Sequence, residues 1–213
     1  MQNIFITGGT GYIGTRLIKA LQKDEYNIRA LVRKGSENKL PQGCEIITGN
    51  ALDALSYQNN ILTASIFVHL IGVAHPSPSK KEQFQKIDMV SIQEAVKAAM
   101  FAQVNHFIYL SVSQYPTNIM KDFQQVRAEG EQLLLQTNFK TSFIRPWYVL
   151  GPGHWWPLLL RPFLFIAKYA GKREAAENLD TVSIKQMIHV LVHAIENPPE
   201  KNIIYDVRSI KGF

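Results

Sequence analysis

The 213 residues carry 23 basic and 17 acidic side chains, a net charge of +6, and 46% hydrophobic residues. That apolar share excludes a disordered chain and suits one domain spanning 1–213, with no linker to divide it. The basic surplus is dispersed (Arg33, Lys34, Lys39, Lys80, Lys81, Lys168, Lys172, Arg173) and forms no tract interleaved with aromatics, so nucleic acid is not an expected partner.

A lone cysteine, Cys44, cannot form an internal disulfide. It reads as a small core residue and fits a reducing, cytoplasmic setting. The chain starts with no basic-then-apolar leader and contains no run of about 18 apolar residues, so neither a signal peptide nor a membrane-spanning helix is expected. No metal site is expected.

Apolar runs of strand length alternate with helix-length segments. Residues 3–8 (NIFITG) predict a buried strand, and residues 11–24 (GYIGTRLIKALQKD) a helix with Ile13, Leu17, Ile18 and Leu21 on one face. Residues 27–33 (NIRALVR) and 44–50 (CEIITGN) predict two more strands, then a short polar helix, then a strand over 65–72 (SIFVHLIG). A long helix is expected from Lys81 to Val104, burying Phe84, Ile87, Val90, Ile92, Val96 and Met100. Residues 106–113 (HFIYLSVS) predict a strand. The helix from about Asp122 to Thr137 is expected to face solvent, with Arg127, Glu129 and Glu131 on its wet side. Residues 141–146 (TSFIRP) predict a strand stopped by Pro146, Ser183 caps a helix running to about Asn197, and 202–207 (NIIYDV) predict a last strand. Strands apolar on both faces and separated by helices imply an α/β fold: a doubly wound parallel sheet with helices on both faces and right-handed crossovers. Residues 147–182 are the least regular and read as a small inserted substrate or lid segment, in effect a small C-terminal substrate subdomain.

The strongest motif is TGGTGYIG, residues 7–14, placed between a predicted strand and a predicted helix. Gly8, Gly11 and Gly14, or Gly9, Gly11 and Gly14, give the spacing that permits a tight turn, close approach of backbone amides to a pyrophosphate, and close packing of helix on strand. The end of the second strand carries Arg33 where an acid would read a free ribose 2′-hydroxyl. An Arg there suits a 2′-phosphate, with Arg16 able to add to it, so NADP is favoured over NAD. Asn50 can accept from an adenine amino group, or simply close a turn.

Further stretches follow in a fixed order: GNALD at 49–53, HLIG at 69–72, HFIYLSVS, RAEGEQLL and RPWYVLGPG at 145–153. Together they resemble the short-chain dehydrogenase/reductase superfamily over nearly the whole chain, in particular its atypical and extended NAD(P)-binding members of the NmrA-like and epimerase/dehydratase-like kind. The resemblance implies a Rossmann-type fold. It implies cofactor contacts from Thr10, Tyr12 and Ile13 in the glycine loop, from Ala51 beside Asn50, from Ile71 and Gly72 after the fourth strand, and from Pro146 and Val149 in the Arg-Pro stretch. GNALD departs from the family's G-D-x-x-D turn by placing Asn50 where Asp is usual.

In the same family a Tyr handles the substrate proton, a Lys four residues later lowers its pKa and holds the ribose, and a Ser orients the carbonyl. Sliding that motif onto RAEGEQLL puts Phe123 at the Tyr position and Arg127 at the Lys position. Phe has no proton to give; Arg keeps a charge for ribose or phosphate but is no base. Ser111 and Ser113 both lie near the Ser position. Tyr115, His75, His154 and Lys121 are further candidates for proton transfer, whereas His69 reads as structural.

Trp147, Tyr148, Trp155 and Trp156, with Leu158–Leu160 and Phe163–Ile166, predict an apolar cluster near the cleft. It suits a wall for a hydrophobic or quinone-like substrate, a membrane-surface or protein contact through 155–170, or plain core packing. Two functions compete: an NADP(H)-dependent oxidoreductase working without the Tyr–Lys dyad, and a non-catalytic NAD(P)-binding regulatory, redox-sensing or assembly protein. A nucleotide-sugar epimerase is disfavoured because that chemistry relies on the Tyr base. Substrate and oligomeric state are left open by the sequence.

Overall fold

A computed structural model describes residues 2–22, 26–153 and 173–213. Its strands are β1 (Gln2–Thr7), β2 (Tyr26–Val32), β3 (Glu45–Thr48), β4 (Ile66–His69), β5 (His106–Leu110), β6 (Lys140–Ile144), β7 (Tyr148–Leu150), β8 (Thr181–Ser183) and β9 (Asn202–Tyr205). Its α-helices are α1 (Tyr12–Leu21), α2 (Lys81–Gln83), α3 (Val90–Phe101), α4 (Lys121–Leu135), α5 (Arg173–Asn178), α6 (Ile184–Glu196) and α7 (Val207–Lys211). Seven strands make one parallel sheet in the order β3-β2-β1-β4-β5-β6-β9, the expected doubly wound, Rossmann-like arrangement. β7 and β8 pair in a separate two-stranded sheet, within the stretch the sequence left irregular.

Alternation along each strand divides the core in two. One face carries Ile4, Ile6, Ala30, Val68, Ile108 and Ile144 against Leu17, Ile18 and Leu21 of α1 and Met187, Val190 and Leu191 of α6. The other carries a row of rings in register: Phe5 packs tilted against Phe67 (centroids 5.2 Å apart) and Phe67 stacks on Phe107 (4.9 Å). Two residues further along the same strands, still on that face, the row turns polar: Thr7, His69 and Tyr109 lie side by side. Thr7 Oγ1 is 2.9 Å from His69 Nδ1, and Ser91 Oγ is 3.3 Å from His69 Nε2. His69 is therefore structural, as its place in a buried strand suggested.

The helix expected over 81–104 is interrupted. Between α2 and α3, residues Phe84–Met89 form a π-helical turn. A π turn holds one extra residue, so everything after it is rotated by about 100° relative to an unbroken α-helix. That rotation is why the expected buried set holds only in part, Phe84 and Ile92 being buried as expected. Met100 is 59% exposed, Ile87, Val90 and Val96 are only half-buried, and Ser91, Ala95, Ala98 and Ala99 face inward beside Ile92. Asp88, inside the π turn, is also fully buried.

Smaller departures share one cause, local chemistry hidden by a generic pattern. The polar helix expected after Asn50 is two 3-10 turns, Ala54–Ser56 and Gln58–Ile61. The last strand stops at Tyr205 because Asp206 caps α7, its carboxylate accepting from the Ser209 amide at 2.8 Å. β3 and β9 are sheet edges and mostly exposed, not covered on both faces.

Burial holds two histidines neutral. His69 is pushed down to about 3 by burial and then by the Arg127 charge. His106 is pushed down to about 4 by burial and then by Lys140. Below about 6.5 the unfolded chain binds protons that these folded histidines refuse. Stability is therefore lost as pH falls through that window, each histidine adding a slope of about 1.4 kcal/mol per pH unit. Urea denaturation between pH 6 and pH 4.5 is expected to show a slope shallower by about that amount in His106→Gln; an unchanged slope would rule His106 out as a titrating group.

Candidate functional site

The strand order reverses between β1 and β4, so the loops leaving the carboxyl ends of β1, β4, β5 and β6 open around one crevice. The glycine loop forms its centre. Gly8 has φ +78°, and a Cβ there would lie 2.9 Å from the Leu70 carbonyl carbon. A Cβ on Gly14 would overlap the Gly8 carbonyl oxygen, so α1 packs on the loop only because that atom is absent. Gly11 donates to Gly8 O at 3.0 Å and closes the turn. α1 begins at Tyr12 with no capping side chain and no acid in its first turn. First-turn amides have no intrahelical acceptor, so those of Tyr12, Ile13 and Gly14 fit an anion such as a pyrophosphate. Thr10 is half-buried in the same loop.

On the β2 side, Arg33 is exposed, and among the described residues its guanidinium pairs with no carboxylate. Arg16 does not join it: Nη1 donates to Tyr12 O at 2.8 Å and the guanidinium stacks 4.0 Å from the Tyr12 ring centroid. Asn50 closes a turn, its Oδ1 accepting from the Leu52 amide at 3.1 Å, with Ala51 half-buried inside that turn.

On the β4 side the structure gives Arg127 internal partners. Arg127, placed by sequence on a wet helix face and against a cofactor, is 5% exposed at its side chain and paired with the fully buried Asp88 at 2.6 Å. Its Nη1 donates to Leu110 O at 2.9 Å and its Nη2 to Ile71 O at 3.1 Å. Asp88 Oδ2 accepts from the Val73 amide at 3.1 Å. Gly72 lies directly over the guanidinium, where any Cβ would collide with Nη2. Burial pushes the Asp88 carboxyl up, against the pull of Arg127 and the Val73 amide. Phe123 shares the face as expected, its ring centroid 5.2 Å from the Arg127 guanidinium carbon. Glu131 is likewise buried, not wet, and is held in a fork by Arg145 (Nε to Oε1 2.9 Å).

The two serines separate. Ser113 Oγ donates to Asn178 O at 2.9 Å. Ser111 Oγ is buried and has no hydrogen-bond partner among the described residues. An orphaned hydroxyl is expensive enough, about 1–3 kcal/mol, to mark a place for an incoming polar group. Tyr115 is half-buried in a loop pinned by Gln124, whose Nε2 donates to Ser113 O at 2.6 Å and Tyr115 O at 3.0 Å. His75 and Lys121 are exposed. Pro146 is buried and its carbonyl accepts from the Ser113 amide at 2.9 Å. Val149 pairs with Val182, and Gly151 rests on the Tyr12 hydroxyl, which joins this segment to the start of α1. His154, Trp155, Trp156, Leu158–Leu160, Phe163–Ile166 and the basic residues Arg161, Lys168 and Lys172 lie outside the described residues.

Sequence reasoning missed Asp88 and Gln124. The only signal for Asp88 was an acid inside an apolar helical stretch, FQKIDMV, which demands a buried partner. A cavity of about 510 Å³ does open elsewhere, lined by Asn3, Tyr26, Asn27, Arg29, Glu45 and Thr63 at the amino ends of the strands. Its polar groups largely satisfy one another (Asn27 to Asn3, Asn3 to Thr63 O, Arg29 to Leu62 O), so the crevice is the better site. No helix among the described residues is long and apolar enough to cross a membrane.

Comparison with known proteins agrees with this geometry. The profile of the NmrA-like family matches residues 1–133. A 4-hydroxy-2-methyl-3-oxo-4-farnesyl-3,4-dihydroquinoline-1-oxide ketoreductase of Stigmatella aurantiaca is 23% identical over 168 residues, covering 69% of this chain and 50% of that one. A ceramide reductase of Caulobacter vibrioides is 24% identical over 152 residues, covering 70% and 47%. The chain thus spans about half the length of these two relatives. The Bordetella bronchiseptica enzyme WbmH, solved in complex with NAD+, superposes with a TM-score of 0.73 at 18% identity over 97% of this chain and 75% of that one, a likeness of fold.

Proposed function

The chain belongs to the NmrA-like family, within the short-chain dehydrogenase/reductase superfamily, and from that premise we propose that it binds NADP(H) and transfers hydride to a small hydrophobic or quinone-like substrate. The observation that carries this reading is the glycine cradle: a Cβ on Gly8 or Gly14 would come within 3.0 Å of backbone, at the uncapped start of α1. The bound nicotinamide would supply the hydride. This chain's residues would position it: the α1 amides on the pyrophosphate, Arg33 on a 2′-phosphate, Ser111 on a substrate carbonyl. The two relatives described above carry reductase names, and those names include a farnesyl group and a ceramide, which supports the substrate class. The solved neighbour holds NAD+, so the preference for NADP rests on Arg33 and the lack of an acid at the end of β2.

No Tyr–Lys dyad takes part in this reading. Phe123 and Arg127 stand at those positions, and positioning plus a water or another hydroxyl must deliver the proton. The same observation favours a second reading, a dinucleotide-binding regulatory or assembly protein that performs no turnover. Residues 147–182 serve as the substrate wall in the first reading and as the partner contact in the second. Calorimetry with NADPH and NADH, followed by NADPH oxidation against quinones, flavins and carbonyls, separates them. Binding with turnover supports the oxidoreductase; tight binding without turnover supports the second reading; binding of neither dinucleotide removes both. Arg33→Glu is expected to lower NADPH affinity at least tenfold while leaving NADH within about threefold. Phe123→Tyr with Arg127→Lys is expected to raise carbonyl reduction no higher than in the wild type, because Lys lacks the planar fork that spans Leu110 O, Ile71 O and Asp88; NADPH-dependent turnover above the wild-type rate in that variant would disprove this.

A further inference from the structure

Resting on the dinucleotide reading above, we propose that Asp88 and Arg127 are a positioning pair for the nicotinamide half of the cofactor, holding the Leu70–Val73 backbone as the floor beneath it. The location follows from the topology. Arg33 marks the adenosine side, over β2 and β3, and the pyrophosphate sits at α1. The other half of the dinucleotide must then extend past β1 over β4 and β5. The first backbone it meets is 70–73, which already abuts the cradle through Gly8 and Leu70.

That backbone belongs to no helix or strand; the Leu70 amide donates to Thr7 O at 3.1 Å, and past it the polar groups that find partners end on the pair. Ile71 O accepts from Arg127, the Val73 amide donates to Asp88, and the neighbouring Leu110 O accepts from Arg127. Gly72, without a side chain, lets the chain lie flat across the guanidinium. The pair is therefore a rigid plate under the part of the loop beyond Leu70. A second brace reaches the same point from β1: Thr7 contacts His69, His69 contacts Ser91, and Ser91 Oγ donates to Asp88 O at 3.0 Å.

Asp88 arrives at this place because of the π turn, since in an unbroken α-helix its side chain would point about 100° away. π turns interrupt helices at functional sites more often than elsewhere. A role in stability alone does not need two buried charges, because well-packed apolar residues serve it as well or better. What the charges add is direction: a planar fork fixes two carbonyls and, through its partner, one amide.

The test uses the charge-free pair, Asp88→Leu with Arg127→Met, and separately Arg127→Lys, which keeps the cation but loses the fork. Each is titrated by calorimetry with the reduced dinucleotide that the wild type prefers, and with its adenosine-side fragment, ADP or adenosine 2′,5′-bisphosphate. The expected result is at least a tenfold loss of dinucleotide affinity with fragment affinity within twofold. In the ligand-free variants, hydrogen exchange at the Val73 amide is expected to be at least tenfold faster, with Ile108 in β5 unchanged. Either variant, folded, with wild-type dinucleotide affinity overturns the proposal, and so does equal loss for dinucleotide and fragment. A wild type that binds neither NADH nor NADPH overturns the dinucleotide reading itself, and the positioning role falls with it; a wild type that binds while either folded variant binds equally well removes the pair alone.

Discussion

Arg127→Met should destabilise the fold by about 3–5 kcal/mol in urea denaturation, the range for removing one partner of a buried ion pair. The reasoning rests on what is left behind. Asp88 is fully buried, and without Arg127 it retains the Val73 amide as its only close donor among the described contacts. It must then either stay charged in an apolar setting or take up a proton. Two backbone carbonyls, Leu110 O and Ile71 O, also lose a donor. Adding Asp88→Leu should recover more than half of the loss, because the uncompensated charge goes with it, whereas the two carbonyls stay unsatisfied. The comparison is decisive in sign. If the double variant is no more stable than Arg127→Met, the charge on Asp88 is not what makes the single change costly. If Arg127→Met costs less than about 1 kcal/mol, the pair behaves like an exposed one despite its burial.

The second large effect belongs to Gly8. Gly8→Ala is expected to lower stability by about 2–3 kcal/mol and to weaken dinucleotide binding at least tenfold. Two penalties add: a left-handed backbone at φ +78°, and a Cβ 2.9 Å from the carbonyl carbon of Leu70, which is backbone and cannot swing aside. Gly35 separates them. It has nearly the same φ, +83°, yet a Cβ there meets nothing within 4 Å. Gly35→Ala therefore carries the conformational penalty alone, about 1–2 kcal/mol. The excess in Gly8→Ala over Gly35→Ala measures the contact with Leu70, and denaturation of the two variants side by side reads it. Equal losses would mean that the β4 loop yields freely, in conflict with its support by Arg127 and Asp88.

The glycine loop was legible in the sequence because each of its demands is local. A turn, a close approach and a helix start are all decided within eight residues. The sheet was legible for a similar reason: strands apolar on both faces announce their own burial. Arg127 was not. Whether a helical Arg is wet or buried depends on a carboxylate 39 positions earlier in sequence, delivered by a π turn that a 3.6-residue count cannot register. Met100 was misplaced by the same turn, because a phase error introduced at 84–89 is carried to the end of the helix. Asp206 was taken for the end of a strand although it caps a helix just as Ser183 does; only the three-residue spacing to Ser209 hinted at it. Ser111 and Ser113 could not be told apart from sequence, since the difference lies in the carbonyl of Asn178, 65 residues beyond Ser113.

The aromatic row across β1, β4 and β5 is built of Phe and Tyr, and the three tryptophans, Trp147, Trp155 and Trp156, all follow β6. Emission excited at the red edge of the indole band will consequently report on Trp147, where it packs on the sheet core, and on the residues that follow it. Far-ultraviolet dichroism will report on the backbone of the whole fold. Run together through one denaturant series, the two signals ask whether the surroundings of the tryptophans melt with the sheet or ahead of it, with no label and no added residue.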